Sequence, residues 1–356
     1  MRDEFNVNRV MLGGKIDPLS EIRNAGIVTN GSVFWVKPTT DADWTTFQAQ
    51  VGQQNVLGTI QGAIDKARDN ANDYVLVTVP DSNAPYSPGS AINSTGTGAG
   101  TTALTINKDR LHLIGVGFNR VSDQYAVTVR GFGTAAAGTP VAGALVDVFA
   151  GGVEIAGIKF LGTMGTSAGG TVSRILNVGT SSAGTAHDLW VHDSALEWSS
   201  QEGLFALSVV TTPGTVHGAR FDNCFLGNAA DALEGAGAGV VALGAGGKRW
   251  NFTNNRFVMF GGSTAHPFVA TGTGAKEYTI FEGNKFFQIG TVTQTSAFTG
   301  SVTIRNPVYL QDNVFVGSTT NAGTDPNVWV APAHSGTAPF VYDPGLAIGT
   351  ALIRAV

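Results

Sequence analysis

One cysteine, Cys224, stands in 356 residues. A lone thiol excludes a disulfide within the chain and any cysteine-built metal site. Charge is scarce too: Asp, Glu, Lys and Arg together make 13% of the chain, about half the usual share. The net charge is −5 and no basic run occurs. Binding to nucleic acid is therefore not expected, because holding phosphates requires clustered Lys and Arg. No run of 18 apolar residues exists, so no membrane-spanning helix is expected. The start, Met1-Arg-Asp-Glu-Phe-Asn-Val-Asn8, lacks the apolar stretch of a Sec signal peptide. On that basis the protein is made in a cytoplasm without a Sec export address. No glycine-rich phosphate loop lies between a strand and a helix, and no His/Cys spacing suits zinc. No cofactor or metal is expected.

Glycine, by contrast, fills 48 positions, roughly twice the average usage. Together with abundant Thr, Ser and Asn and many short apolar runs, it suits an all-β protein rich in turns. One phrase recurs behind such runs. It reads Asn223-Cys-Phe225, Asn255-Arg-Phe257, Asn284-Lys-Phe286 and Asn313-Val-Phe315, with the phenylalanines 32, 29 and 29 residues apart. Ser194-Ala-Leu196 resembles a diverged copy, and Gly157-Ile-Lys-Phe160 an earlier one. A fixed period of this size is the mark of a stacked solenoid. The four asparagines invite a reading as a ligand-binding ladder. A structural one is stronger: an Asn in an inward turn satisfies buried backbone groups and stacks on the amide above, while the phenylalanines stack in the core.

Three segments follow from the pattern. Residues 1–56 form an N-terminal arm with one short strand, Val33-Phe34-Trp35-Val36, and a polar loop; this arm is either a flexible terminus or an anchor. Residues 57–317 form the repeating body. It opens with a helix over residues 59–70, capped by Thr59 and apolar at Ile60, Ile64 and Ala67. Residues 318–356, interrupted by prolines, cap the last coil or pack on a neighbouring subunit.

Thr59-Ile-Gln-Gly-Ala-Ile64, Val75-Leu-Val-Thr-Val-Pro80, Tyr86, Leu104-Thr-Ile106 and Leu111-His-Leu-Ile-Gly115 carry a resemblance. The segment resembles the opening of right-handed parallel β-helix proteins of the pectate-lyase-like superfamily. That resemblance implies an all-β fold, a right-handed single-stranded parallel β-helix with one N-terminal capping α-helix. The phrase Gly31-Ser-Val-Phe-Trp-Val36 ahead of such a helix also resembles a group of tailed-phage virion proteins. This implies a capsid-associated decoration or spike protein located in the virion. Its implied partners are two further copies in a homotrimer, the major capsid protein or another virion protein through the arm, and a host-surface glycan.

Enzymes of this fold act on polysaccharides, so the alternative is a lyase or glycoside hydrolase, free or as a tailspike. Such chemistry requires converging acids. The densest set is Asp188, Asp193, Glu197 and Glu202, next to His187, His192 and His217, with Asp231 and Glu234 a weaker pair. Leu189-Trp-Val-His-Asp193 is similar to the Trp-x-Asp-His strand of pectate lyases, but with His and Asp reversed. The acidic and Gly-His-Gly motifs of polygalacturonases are missing. Isolated acids on a solenoid flank are more often solvated or turn-forming than catalytic.

Overall fold

The computed structural model describes residues 31–82, 85–86, 104–116, 127–132, 144–163, 174–179, 186–199, 208–211, 216–227, 240–243, 247–261, 268–271, 278–290, 298–300, 308–316, 328–331, 333–335, 338–341 and 354–355. Among the described residues, strands wind into three large sheets of eleven, seven and ten strands, with a further two-stranded pair, Val216–His217 against Gly247–Lys248. Among the described residues, neighbours are parallel throughout the coils, and only the last short strands, from Ala333–Ser335 to Arg354–Ala355, pair antiparallel. This is a parallel β-helix. At about 4.8 Å per strand, the eleven-stranded sheet makes a rod about 50 Å long.

The alternation of each strand sorts side chains into inward and outward columns. On the large sheet the inward column runs Phe34, Val75, Leu113, Ile155, Val191, Phe221, Phe252, Phe281 and Leu310. Its phenylalanines stack at 5.0 Å (Phe221–Phe252) and 4.6 Å (Phe252–Phe281). On the ten-stranded sheet the column is Val129, Phe160, Leu196, Leu226, Phe257, Phe286 and Phe315 by backbone register. There Phe257 and Phe286 stack at 4.5 Å. The side chain of Phe315 lies outside the described residues.

The asparagine ladder is internal, as its spacing implies. Asn255, Asn284 and Asn313 are fully buried. Asn284 Oδ1 accepts from the Asn255 backbone N–H at 2.8 Å and from its Nδ2 at 3.0 Å. Asn284 Nδ2 donates to Phe252 O at 2.9 Å and to Asn313 Oδ1 at 3.0 Å. One position must be corrected. The ladder continues upward through Cys224, whose N–H donates to Asn255 Oδ1 at 2.8 Å, and not through Asn223. Likewise Leu226, not Phe225, pairs with Phe257. Asn223 is exposed with φ 53°. It belongs to a neighbouring column of left-handed residues: Gly157, Asp193, Asn223, Asn254, Gly283 and Asp312. Gly, Asn and Asp tolerate that conformation best, and each of these N–H groups from Gly157 to Gly283 donates to a carbonyl one coil on.

Two α-helices lie near the N-terminal end among the described residues. We label Trp44–Val51 α1 and Ile60–Lys66 α2. The second is the expected cap, shorter than residues 59–70. Thr59 accepts from Gly62 N–H, and Ile60, Ala63 and Ile64 enter the core. Within it, Gln61 lies along the edge strand Leu104–Ile106, donating to Thr105 O at 3.2 Å and accepting from Thr105 N–H at 2.9 Å. An open sheet edge is a template for another chain; here a side-chain amide fills it. Tyr86 is fully buried and donates to Thr78 O at 3.0 Å.

α1 lies in a stretch expected to be a polar loop. It covers outward-facing Trp35, Leu76, Ile114 and Ala156 with Trp44, Phe47 and Val51, Phe47 meeting Trp35 edge-on at 5.5 Å. Val33–Val36 itself pairs in parallel with Tyr74–Val77, so the large sheet begins inside the segment assigned to the arm. At the other end, Val328–Ala331 continues the same sheet beyond residue 317. Among the described residues no helix is long and apolar enough to cross a membrane.

Candidate functional site

The outward face of the large sheet changes character along the rod. One column reads Trp35, Leu76, Ile114, Ala156 under α1, then His192, Asp222, Thr253, Glu282 and Gln311. The parallel column reads Tyr74, His112, Glu154, Trp190 and Arg220. Polar chemistry concentrates where the helix cover ends.

Glu154 stands at the centre. One carboxylate oxygen bonds His112 Nδ1 and the other His192 Nε2, the latter at 2.8 Å. His192 Nδ1 meets Asp193 Oδ2 at 2.9 Å, and Asp193 Oδ1 accepts from Asn223 Nδ2 at 2.6 Å. His112 Nε2 faces Asn72 Oδ1 at 3.3 Å. A continuous polar line thus crosses successive coils. Aromatic rings roof it: Tyr74 stacks on His112 at 4.2 Å and Trp190 on His192 at 4.1 Å. Arg220 lies over Trp190, 5.7 Å from its ring centre, and pairs with Asp222 at 3.0 Å.

The electrostatics follow from the contacts. Burial alone would raise the Glu154 carboxyl, yet its bonds to both histidines and their charge pull it down to about 2. Burial alone would lower His192, yet Asp193 and Glu154 raise it to about 9. At neutral pH the two form a fixed carboxylate–imidazolium pair. A general acid or base works best with its pKa near the working pH; these groups are held well away from it.

Of the four acids singled out by sequence, the three described ones, Asp188, Asp193 and Glu197, do not converge. Asp188 is exposed in a left-handed turn, φ 56°, one of a column with Arg110, Gly152, Gly218 and Arg249. It precedes the strand Trp190–His192, while Asp193 follows it, so extended chain separates them by roughly 15 Å. The carboxyl pair of a hydrolase stands about 5–9.5 Å apart. Glu197 is on the ten-stranded sheet, paired with Lys159 at 2.5 Å. Glu202, Asp231 and Glu234 lie outside the described residues. Of those three described acids, Asp193 joins the line of polar groups, beside His192; Glu154 stands 38 residues before His192, and His112 a further 42 before Glu154.

One other cluster gathers carboxylates. Asp41, Asp43 and Asp81 come within 4.8 Å of one another. The Lys37 ammonium already bonds all three, at 2.9, 2.8 and 3.5 Å, and tethers the start of α1 to the strand Val33–Val36. This is an ion-pair anchor and not a vacant metal site. Cys224 is equally structural, for burial pushes its thiol up to about 12, far from the thiolate needed for reactivity.

No protein-family model matches the chain, and no curated protein matches it. Among solved structures, the chain is similar to ORF18 of Geobacillus virus E2, at 11% identity and a TM-score of 0.36, covering 94% of this chain and 69% of that one. It is also similar to the A-module of mannuronan C-5 epimerase AlgE6 from Azotobacter vinelandii (13% identity, TM-score 0.24, 79% of this chain and 97% of that one). The AlgE4 A-module from the same organism matches at 14% identity and a TM-score of 0.23, over 77% and 97% of the two chains.

Proposed function

We propose that the protein is a structural component of a tailed-phage virion, a capsid-associated decoration or spike whose β-helix serves as a stiff rod. The observation that carries this reading is the engagement of the outer-face acids. Glu154, Asp193 and Glu197 are each tied to a cationic or imidazole partner, and Asp188 occupies a turn that its conformation explains. Side chains committed in this way hold coils together and are not poised for proton transfer. The phrase Gly31-Ser-Val-Phe-Trp-Val36, with its resemblance to phage proteins, adds the virion setting. Trimer formation and attachment through the first 56 residues belong to the same proposal.

Immunogold labelling of purified particles with antiserum to this chain tests it. Gold on the particle surface is the expected outcome. Absence of the chain from particles, together with cleavage of a polysaccharide panel that is lost in Asp193→Asn and Glu154→Gln, would establish the alternative of a polysaccharide-degrading enzyme.

A further inference from the structure

Of the two histidines in the cross-coil line, His192 is the one whose contacts demand a particular protonation state. Both of its ring nitrogens face carboxylate oxygens, Nε2 at 2.8 Å from Glu154 and Nδ1 at 2.9 Å from Asp193. A neutral imidazole has a single N–H, so it can satisfy only one of them. His112 differs. It faces one carboxylate and the side-chain amide of Asn72, and an amide can turn to offer either its oxygen or its NH2. His112 therefore keeps both contacts in either state, whereas His192 does not.

We propose that His192 is the pin of a pH-sensitive clasp that joins the coils of Glu154, Trp190 and Asn223, closed while the imidazole carries both protons and opened by alkali. The carboxylates in contact with the ring favour the closed form. Glu154 reaches it from the preceding coil and Asp193 from the adjoining turn. Asp222 is its register partner on the following coil, held by Arg220. His112 and, beyond it, Tyr74 close the far side of Glu154. The Lys159–Glu197 pair sits around the corner on the next sheet. Loss of the proton turns one nitrogen lone pair toward a carboxylate and leaves Glu154 and Asp193 flanking an uncharged ring. It also removes the cationic ring from beneath Trp190. The clasp does not depend on the virion reading.

The sign is fixed by the raised affinity for the proton. The contribution is complete below the ordinary histidine value of about 6.5, and it disappears as the pH rises through about 9. The test is a titration of the full chain by histidine-ring NMR, with thermal unfolding of wild type and His192→Gln between pH 5.5 and 10. One ring should stay charged past pH 8 and titrate near 9, and Glu154→Gln should move that midpoint toward neutrality. The gap in unfolding temperature between wild type and His192→Gln should be widest at the acid end and close at the alkaline end. No imidazole titrating above 8, or a gap equal at both ends, overturns the proposal. The wild-type titration alone decides it should His192→Gln not fold.

Discussion

All four hydrogen-bonding positions of the Asn284 amide are filled from the coils on either side. Replacing it by Ala orphans the Asn255 N–H and the Phe252 carbonyl in a dry interior. We expect Asn284→Ala to cost about 3 kcal/mol, read as a lower denaturant midpoint. Cys224 stands in the same column, but its thiol reaches the carbonyls of Val191 and Asp222 only at 3.5 and 3.4 Å. Cys224→Asn supplies the missing amide, and the denaturant midpoint should rise by the equivalent of roughly 1 kcal/mol. The repeat at 29 residues was legible because Asn is kept at three successive coils. It was misphased at the fourth because Asn223 fills the left-handed position beside the ladder, where Asn is equally at home.

At the level of elements, the helix α2 was legible from its cap and its apolar face. α1 was not, although Trp44, Phe47 and Val51 fall at helical spacing. Its reason for folding lies elsewhere, in the outward apolar row of Trp35, Leu76, Ile114 and Ala156, which no local pattern reveals. The polar line was hidden for a similar cause. Loops of differing length separate its coils, so Glu154 and His112 stand at no fixed distance from His192 in the chain. Gln61 is the element-scale counterpart of a strand, closing the Leu104–Ile106 edge with one donor and one acceptor. Gln61→Ala should cost about 1–2 kcal/mol and re-expose the edge. Sedimentation velocity should then show concentration-dependent association that the wild type lacks.

For the whole molecule, acid and alkali act on opposite ends of one ion pair. The carboxyl of Glu154 is depressed to about 2, so its contribution is present above the ordinary carboxylate range and lost as the pH falls through about 2. Asp73 is depressed as well; burial opposes this, but Arg68 and the N–H of Ser32 outweigh it. Thermal stability should therefore decline below about pH 4.5. Glu154→Gln should remove a share on the order of 2 kcal/mol and flatten the acid limb. An unchanged acid limb in that variant would assign the loss to other carboxylates.

The cover provided by α1 also sets where a neighbour can approach. Over the coils of Leu76, Ile114 and Ala156 the flat sheet is already occupied, so the rod presents a ridge there. Past Trp190 no helix among the described residues covers the sheet, and Tyr309 is exposed on it. A partner with a flat surface can lie against this face only along the later coils, with the edge of α1 as its stop. The helix thus works as a ruler, fixing how far along the rod such a contact extends.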